Sequence, residues 1–252
     1  MVVKVQDNTI FDTTIKTTDL KRIKLKNWKN YGIEFLSIFI AVIAAFALNN
    51  WNDNRKNDIS ENKILMEIAN GLEKDLSDIR HNMYGHEMGM KACGYFSDIF
   101  TGREVNPDSL MSHYFSLTRD FVCIQNVAGY ETLKSKGLEL VKNDSLRHEI
   151  ISLYEYDYTV LRKLEEEYSE MQFHESYFKE INAELAPYFK LDSTQRLAGL
   201  NLPLDIEDSQ KKKMLVYLWK IEVNRSFTLD FYAQIEQKIM RARENIALEI
   251  EG

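Results

Sequence analysis

The sequence lacks the short motifs that mark most enzymes. Its 252 residues contain no glycine-rich phosphate loop, no Gly-x-Ser-x-Gly elbow and no Cys-x-x-Cys pair. Three His-Glu dipeptides begin like a zinc-protease motif, but none has a second histidine four residues on, where it would share the helix face: His86, His148 and His174. These pairs are more typical of a helix surface. We therefore predict no enzymatic activity, no catalytic residue, no metal and no cofactor.

Cysteine is almost absent. Cys93 and Cys123 are the only two, the right number for a single disulfide in a domain outside the cytoplasm. Two buried, reduced thiols that simply pack against their neighbours are the alternative. A catalytic cysteine would need a histidine held beside it, and no spacing here indicates one.

Positive charge is scarce in the C-terminal part. Residues 52–252 carry 25 basic and 35 acidic side chains, a net charge of −10. Nucleic acid is attracted by basic surfaces that displace its counterions, and an acidic domain does the opposite. We therefore predict no nucleic-acid partner.

Long hydrophobic runs are also rare, and one stands out. Fourteen residues from Phe35 to Leu48 contain a single polar side chain, Ser37, and extending the run to residues 33–51 gives about 28 Å of helix. Trp51 then lies at the membrane interface, where tryptophan is favoured. This predicts a transmembrane helix over residues 32–51, so the lipid bilayer is a partner. A cleaved signal peptide and a buried helix of a soluble protein are the alternatives.

The distribution of basic residues around this span predicts its orientation. Five lie within about fifteen residues before it and three follow it, and such residues stay on the cytoplasmic side. We predict a cytoplasmic basic tail over residues 1–31, the span over 32–51, and an extracytoplasmic helical domain over 52–252.

Four residues of the span share one face. Ser37, Ala41, Ala45 and Asn49 are spaced by four, and small side chains at this spacing let a second helix approach closely. Because alanine is common in spans, chance spacing is the alternative. The face predicts a homo-oligomer or contact with another membrane protein.

Apolar residues beyond the span recur at helical spacing. Three long amphipathic helices are predicted, with two short ones between the first and second. We expect an all-α fold, in which the single transmembrane helix is followed by an antiparallel bundle of three long helices with short helices at one end. The predicted ranges are 57–83 and beyond for the first long helix, 109–119 and 126–136 for the short ones, 144–187 for the second and 208–252 for the third, with 188–207 as the one long connection.

Two charged residues lie in the apolar stripes of this bundle. An unpaired charge in a dry core costs several kcal/mol, so each should have a partner of opposite charge. If the second and third helices form a hairpin, Asp157 should pair with Lys238, and Arg225 with Glu170.

Several segments together resemble a known family. The stretch Ala47-Leu48-Asn49-Asn50-Trp51-Asn52-Asp53-Asn54-Arg55-Lys56 and the later segments 61–65, 73–76 and 130–137 are similar to an uncharacterised family of single-pass membrane proteins common in the Bacteroidota. Ala47 and Leu48 replace the glutamine and isoleucine typical of that family. The resemblance covers nearly the whole chain and implies a bacterial inner-membrane protein, but it implies no activity. With the predicted orientation, the C-terminal domain is then periplasmic.

Two function classes remain. The first is a membrane-anchored interaction or scaffold protein that acts through helix–helix contacts with itself or with a membrane or periplasmic partner. The alternative is a membrane-anchored ligand-sensing domain, with a pocket between the short helices and the 188–207 connection. We favour the first, because a cytoplasmic tail of about thirty residues is too short for a folded output domain.

Overall fold

The computed structural model of the protein describes residues 16–251, with side chains from 28 to 251. The chain divides into two compact units, Met1–Ile59 and Ser60–Gly252. The described part is mostly helical, as the sequence predicts. Its α-helices are α1 (Lys16–Phe100), α2 (Leu110–Thr118), α3 (Ala128–Lys136), α4 (Asp144–Ile151), α5 (Tyr158–Glu166), α6 (Lys179–Leu185) and α7 (Asp208–Glu251), and its two strands are β1 (Phe189–Leu191) and β2 (Leu197–Leu200).

The first unit contains the apolar run, which lies in the N-terminal part of α1. In the described residues this is the one helix long and apolar enough to cross a membrane, and none of its most apolar window is buried by the rest of the chain. The reading as a buried helix of a soluble protein is therefore not supported. The predicted tail, residues 1–31, lies largely outside the residues whose side chains are described.

The second unit is built around α1 and α7, which run antiparallel. Arg80 on α1 pairs with Glu236 on α7 at 2.6 Å, and Glu73 pairs with Arg243 further along both helices. The predicted stripe on α1 is confirmed, since its members from Leu65 to Ile79 are buried. On α7 every third or fourth residue is buried, which is the period of an amphipathic helix.

The prediction of one continuous helix over residues 144–187 is wrong, because the helix is interrupted after α5. Helix α5 ends at Glu166, a short 3-10 turn follows at Ser169–Met171, and a π-helical turn at His174–Phe178 leads into α6. The side-chain amide of Gln172 donates to the carbonyl oxygen of Glu165, one of those that the helix end leaves without a partner. The break places Met171 and Phe173 in the core.

The expectation of a fold without strands is also wrong. Strands β1 and β2 form a small antiparallel hairpin within the 188–207 connection. Asp192 organises its turn, because one carboxylate oxygen accepts from the backbone N–H groups of Thr194 and Arg196. Strands of three and four residues are too short to show alternation in the sequence.

A segment without regular structure, residues 120–127, connects α2 and α3. Its backbone is held by carboxylates of the surrounding helices instead of by a sheet. The N–H of Asn126 donates to Asp75 at 2.8 Å, that of Ile124 to Asp78 at 3.0 Å, and that of Cys123 to Glu165 at 3.1 Å.

The two cysteines do not form the possible disulfide, and the alternative of two buried, reduced thiols is the one that the structure has. Both are free and buried, Cys93 in the cluster near α2 and α6 and Cys123 in the cluster near α3 and α4. Burial raises the pKa of the Cys93 thiol to about 12, so this group stays protonated and packs as an apolar side chain.

Candidate functional site

Arg225, in the middle of α7, is completely buried. The predicted pair with Glu170 is wrong, because Glu170 accepts from Tyr177 and lies 3.6 Å from Lys220. The predicted partner Lys238 does pair with Asp157, at 2.6 Å. Within the described chain, Arg225 has no ion pair.

Neutral groups bind the Arg225 guanidinium instead. Its Nη2 donates to the backbone oxygens of Leu117 and Arg119, each at 3.1 Å, and its Nη1 lies 3.2 Å from Nδ1 of His86. The guanidinium carbon lies 4.9 Å from the centre of the Phe173 ring, a cation–π distance. Two backbone carbonyl oxygens at the end of α2 thus accept hydrogen bonds from Arg225, where the sequence had predicted a carboxylate.

Glycines on α1 provide the space for this arrangement. A Cβ at Gly89 would lie 2.5 Å from Nε of Arg225, and one at Gly85 would overlap the ring of Phe121. These two glycines weaken the helical pattern in the sequence, yet α1 continues through them. Their role is to let Arg225 and Phe121 approach the helix backbone.

His86 is buried, so its assignment to the helix surface is wrong. Burial, and then the neighbouring charge of Arg225, lowers the pKa of His86 to about 3. Arginine has no acceptor, so Nδ1 of the neutral ring accepts from Arg225 and Nε2 carries the proton.

A cavity of about 270 Å³ lies beside these two residues, between α1, the 120–127 segment, the break after α5 and α7. Its lining includes His86, Asp120, Phe121, Met171, Phe173 and Arg225. Nε of Arg225 and Nε2 of His86 are both buried without a hydrogen-bond partner. The 188–207 connection, where the sequence placed a pocket, does not contribute to this one.

Acidic side chains form another part of the wall. Glu165 is buried and accepts from the hydroxyl of Tyr232 and from the N–H of Cys123, and burial raises the pKa of Glu165 to about 7. Asp120 is exposed and lies 3.7 Å from His174, and Glu166, which also lines the cavity, is exposed as well. The cavity wall therefore combines a buried cationic residue, Arg225, with two acidic residues that are open to water.

The residues predicted to form a contact face in the span lie on α1 and are exposed. Ser37 donates to the backbone oxygen of Glu34 at 2.8 Å, and the Asn49 amide donates to Asp53 at 3.0 Å. Trp51 is 62% exposed. Helical spacing places Ser37, Ala41, Ala45 and Asn49 on one side, and the contact itself stays a prediction.

A second apolar surface lies on α7, and the sequence analysis missed it. Val216, Trp219, Val223 and Phe227 are 46–60% exposed. At about 100° per residue they fall within an arc of about 80° opposite the buried face of the helix. We call these four residues the outer stripe of α7. Their spacing of three and four residues could have indicated a second apolar face. It was not recognised because the buried stripe of α7 has the same period.

Reading the sequence did single out Arg225, because a charge in an apolar stripe needs an explanation. It gave no sign of His86 as the neighbour of Arg225, since 139 positions separate them. No family model, curated protein or solved structure matches this chain, so the family resemblance stays a prediction.

Proposed function

We propose that this chain is a membrane-anchored helical interaction protein without catalytic activity of its own. The outer stripe of α7 is the observation that supports this best. Four large apolar side chains, two of them aromatic, face solvent along about 17 Å of helix. Tryptophan and other aromatic residues are enriched in protein interfaces, and a contiguous apolar stripe of this kind is typical of a helix that packs against another helix.

A second copy of the chain is the partner that we propose for this stripe. The exposed residues Lys212 and Asp230 lie on the same side of α7 as the stripe, one beyond each end. In an antiparallel pair of α7 helices, Trp219 faces Val223 of the other copy and Lys212 faces Asp230. A parallel pair would instead oppose two lysines and two aspartates, which is unfavourable.

Cysteine crosslinking of the full chain in detergent tests this pairing. A mixture of Trp219→Cys and Val223→Cys chains is expected to form a disulfide-linked dimer between the two variants, because these positions face each other in the antiparallel pair. The native thiols do not interfere, since Cys93 and Cys123 are buried.

Arg241→Cys is the matched control. It is exposed on the same side of α7, but beyond the stripe, and in the antiparallel pair no α7 residue faces it. Links within each single variant, and none between the two, would show a parallel pair and reject the arrangement. Linking no greater than that of Arg241→Cys would reject self-association through this face.

We also propose that the protein resides in a bacterial inner membrane, with the N-terminus in the cytoplasm and the helical domain in the periplasm. The apolar run in α1 and the five-to-three bias in basic residues support this.

A reporter that is active only in the cytoplasm, fused after Gly252, is expected to be inactive, whereas the same reporter fused before Met1 is active. Activity at the C-terminus would reverse the orientation, and a mature chain without residues 1–47 would show a cleaved signal peptide instead of an anchor.

A ligand-sensing domain remains the second candidate. The observation that favours it is the cavity at Arg225, which has buried hydrogen-bond donors without acceptors. Ligand binding there and helix pairing through α7 use different surfaces, so the two roles are compatible.

A further inference from the structure

Arg225 and His86, which line the cavity beside α7, each carry a buried N–H donor that lacks an acceptor. The donors are Nε of Arg225 and the protonated Nε2 of His86. A buried donor without a partner costs about 1–3 kcal/mol. Because both side chains line one cavity, a ligand with acceptor oxygens would supply the missing partner.

Arg225 also has no ion pair within the described chain, and its acidic neighbour in the cavity wall, Asp120, is exposed to water. The buried carboxylate of the same wall, Glu165, accepts from Tyr232 and from the backbone of Cys123. Two carbonyl oxygens and a phenyl ring solvate the guanidinium, but they do not neutralise it. A carboxylate is the anion that best combines negative charge with two acceptor oxygens in a plane.

A simple carboxylate would leave the acidic residues of the cavity wall without a partner. Asp120 and Glu166 are exposed there and would repel a second negative charge but attract an ammonium group. The lining also includes apolar groups of Phe121, Val122 and Met171. The volume of about 270 Å³ is at the small end for ligand sites, which suits a metabolite of a few heavy atoms.

We propose that this cavity binds a free α-amino acid with an apolar side chain. The carboxylate of the ligand accepts from Arg225 and His86, its ammonium group faces Asp120 and Glu166, and its side chain packs against Phe121 and Met171. This site goes beyond the interaction function proposed above and does not depend on it. The alternative is that Arg225 is a purely structural residue.

Leucine and two of its fragments separate these possibilities. Isothermal calorimetry on the full chain in detergent would compare leucine with 4-methylpentanoate, which lacks the ammonium group, and with 3-methylbutylamine, which lacks the carboxylate. Leucine is expected to bind at least about tenfold more tightly than either fragment, since each loses one charge-assisted contact. Methionine, which is similar in size, is expected to bind in the same range as leucine.

Two variants test the two ends of the ligand. Arg225→Lys keeps the positive charge but loses the fork of donors, and it should weaken leucine binding about tenfold or more. Asp120→Asn changes an exposed side chain, so the fold should be kept, and it should remove most of the advantage of leucine over 4-methylpentanoate. Glu167→Gln is the matched control, because this exposed residue lies outside the cavity wall and should bind leucine as the wild type does.

The outcomes are distinct. Equal binding of leucine and 4-methylpentanoate would show a site for simple carboxylates and overturn the proposal. Absence of leucine and methionine binding to the folded wild type at millimolar concentration would overturn it as well and leave Arg225 with a structural role. Circular dichroism of each variant separates loss of binding from loss of fold, and Asp120→Asn keeps the test decisive if Arg225→Lys does not fold.

Discussion

Replacing Gly129 by alanine is expected to destabilise the helical domain by about 2 kcal/mol. Gly129 lies in the first turn of α3, where a Cβ would stand 2.8 Å from the backbone nitrogen of Ile68 and 3.0 Å from the backbone carbon of Glu67. These are main-chain atoms of α1, which cannot rotate away as a side chain can. Helix α3 would have to move away from α1, and the packing around Tyr130 and Leu133 would be lost. Urea unfolding of the full chain in detergent, followed by circular dichroism, measures the change.

Gly94 provides the matched control, because it is also a helical glycine but nothing lies within 4 Å of the Cβ it would gain. Gly94→Ala is expected to stabilise the protein by about 0.5–1 kcal/mol, since alanine loses less backbone entropy in a helix. The two substitutions should therefore shift the urea midpoint in opposite directions. A shift in the same direction would contradict the close approach of α3 to α1.

Glu165 is expected to make the stability of the domain depend on pH. Burial raises the pKa of Glu165 from 4.5 to about 7 in the folded protein. Between these two values the folded state binds more protons than the unfolded state, so stability falls as pH rises. The contribution of Glu165 is fully present below about pH 4.5 and is lost as pH rises through about 7. This difference between the pKa of Glu165 in the folded and unfolded states corresponds to about 3 kcal/mol of folding free energy.

The variant Glu165→Gln isolates this contribution, because glutamine does not titrate. His86 acts in the opposite direction: its lowered pKa gives stability that is present above pH 6.5 and lost on acidification toward about pH 3. This term is common to both proteins and cancels in the difference. The stability of the wild type minus that of Glu165→Gln should fall by about 3 kcal/mol between pH 4.5 and 8. Parallel pH curves would show that Glu165 keeps an ordinary pKa.

Periodicity predicted the parts of the fold in which one helix face is buried over many turns. The stripes on α1 and α7 are of this kind, and the pair between Asp157 and Lys238 followed from the predicted hairpin of the second and third long helices. The break after α5 could not be predicted in this way, since residues 167–173 contain neither glycine nor proline and the apolar spacing continues across them. The hairpin of β1 and β2 was missed because its strands are too short for alternation.

The cavity shows a different limit of reading a sequence. Pairing by register considers side chains only, and it assigned Glu170 to Arg225. The partners of Arg225 include two main-chain oxygens, at Leu117 and Arg119. Every residue has a main-chain oxygen, so residue type cannot indicate which of these oxygens binds Arg225. Only the position at which α2 ends brings these oxygens to Arg225.

The way in which carboxylates hold the 120–127 segment has a consequence for sequence divergence. Asp75, Asp78 and Glu165 bind main-chain N–H groups of this segment, which every residue except proline supplies. The side chains of Val122 and Ile124 are 44% and 77% exposed, whereas Phe121 packs beside Gly85 and Cys123 is buried. Substitutions at positions 122 and 124, proline excepted, should therefore accumulate with little effect on folding, while loss of any of the three acids would leave a main-chain N–H group without its partner. The surface over this segment can thus acquire new binding preferences without a new scaffold.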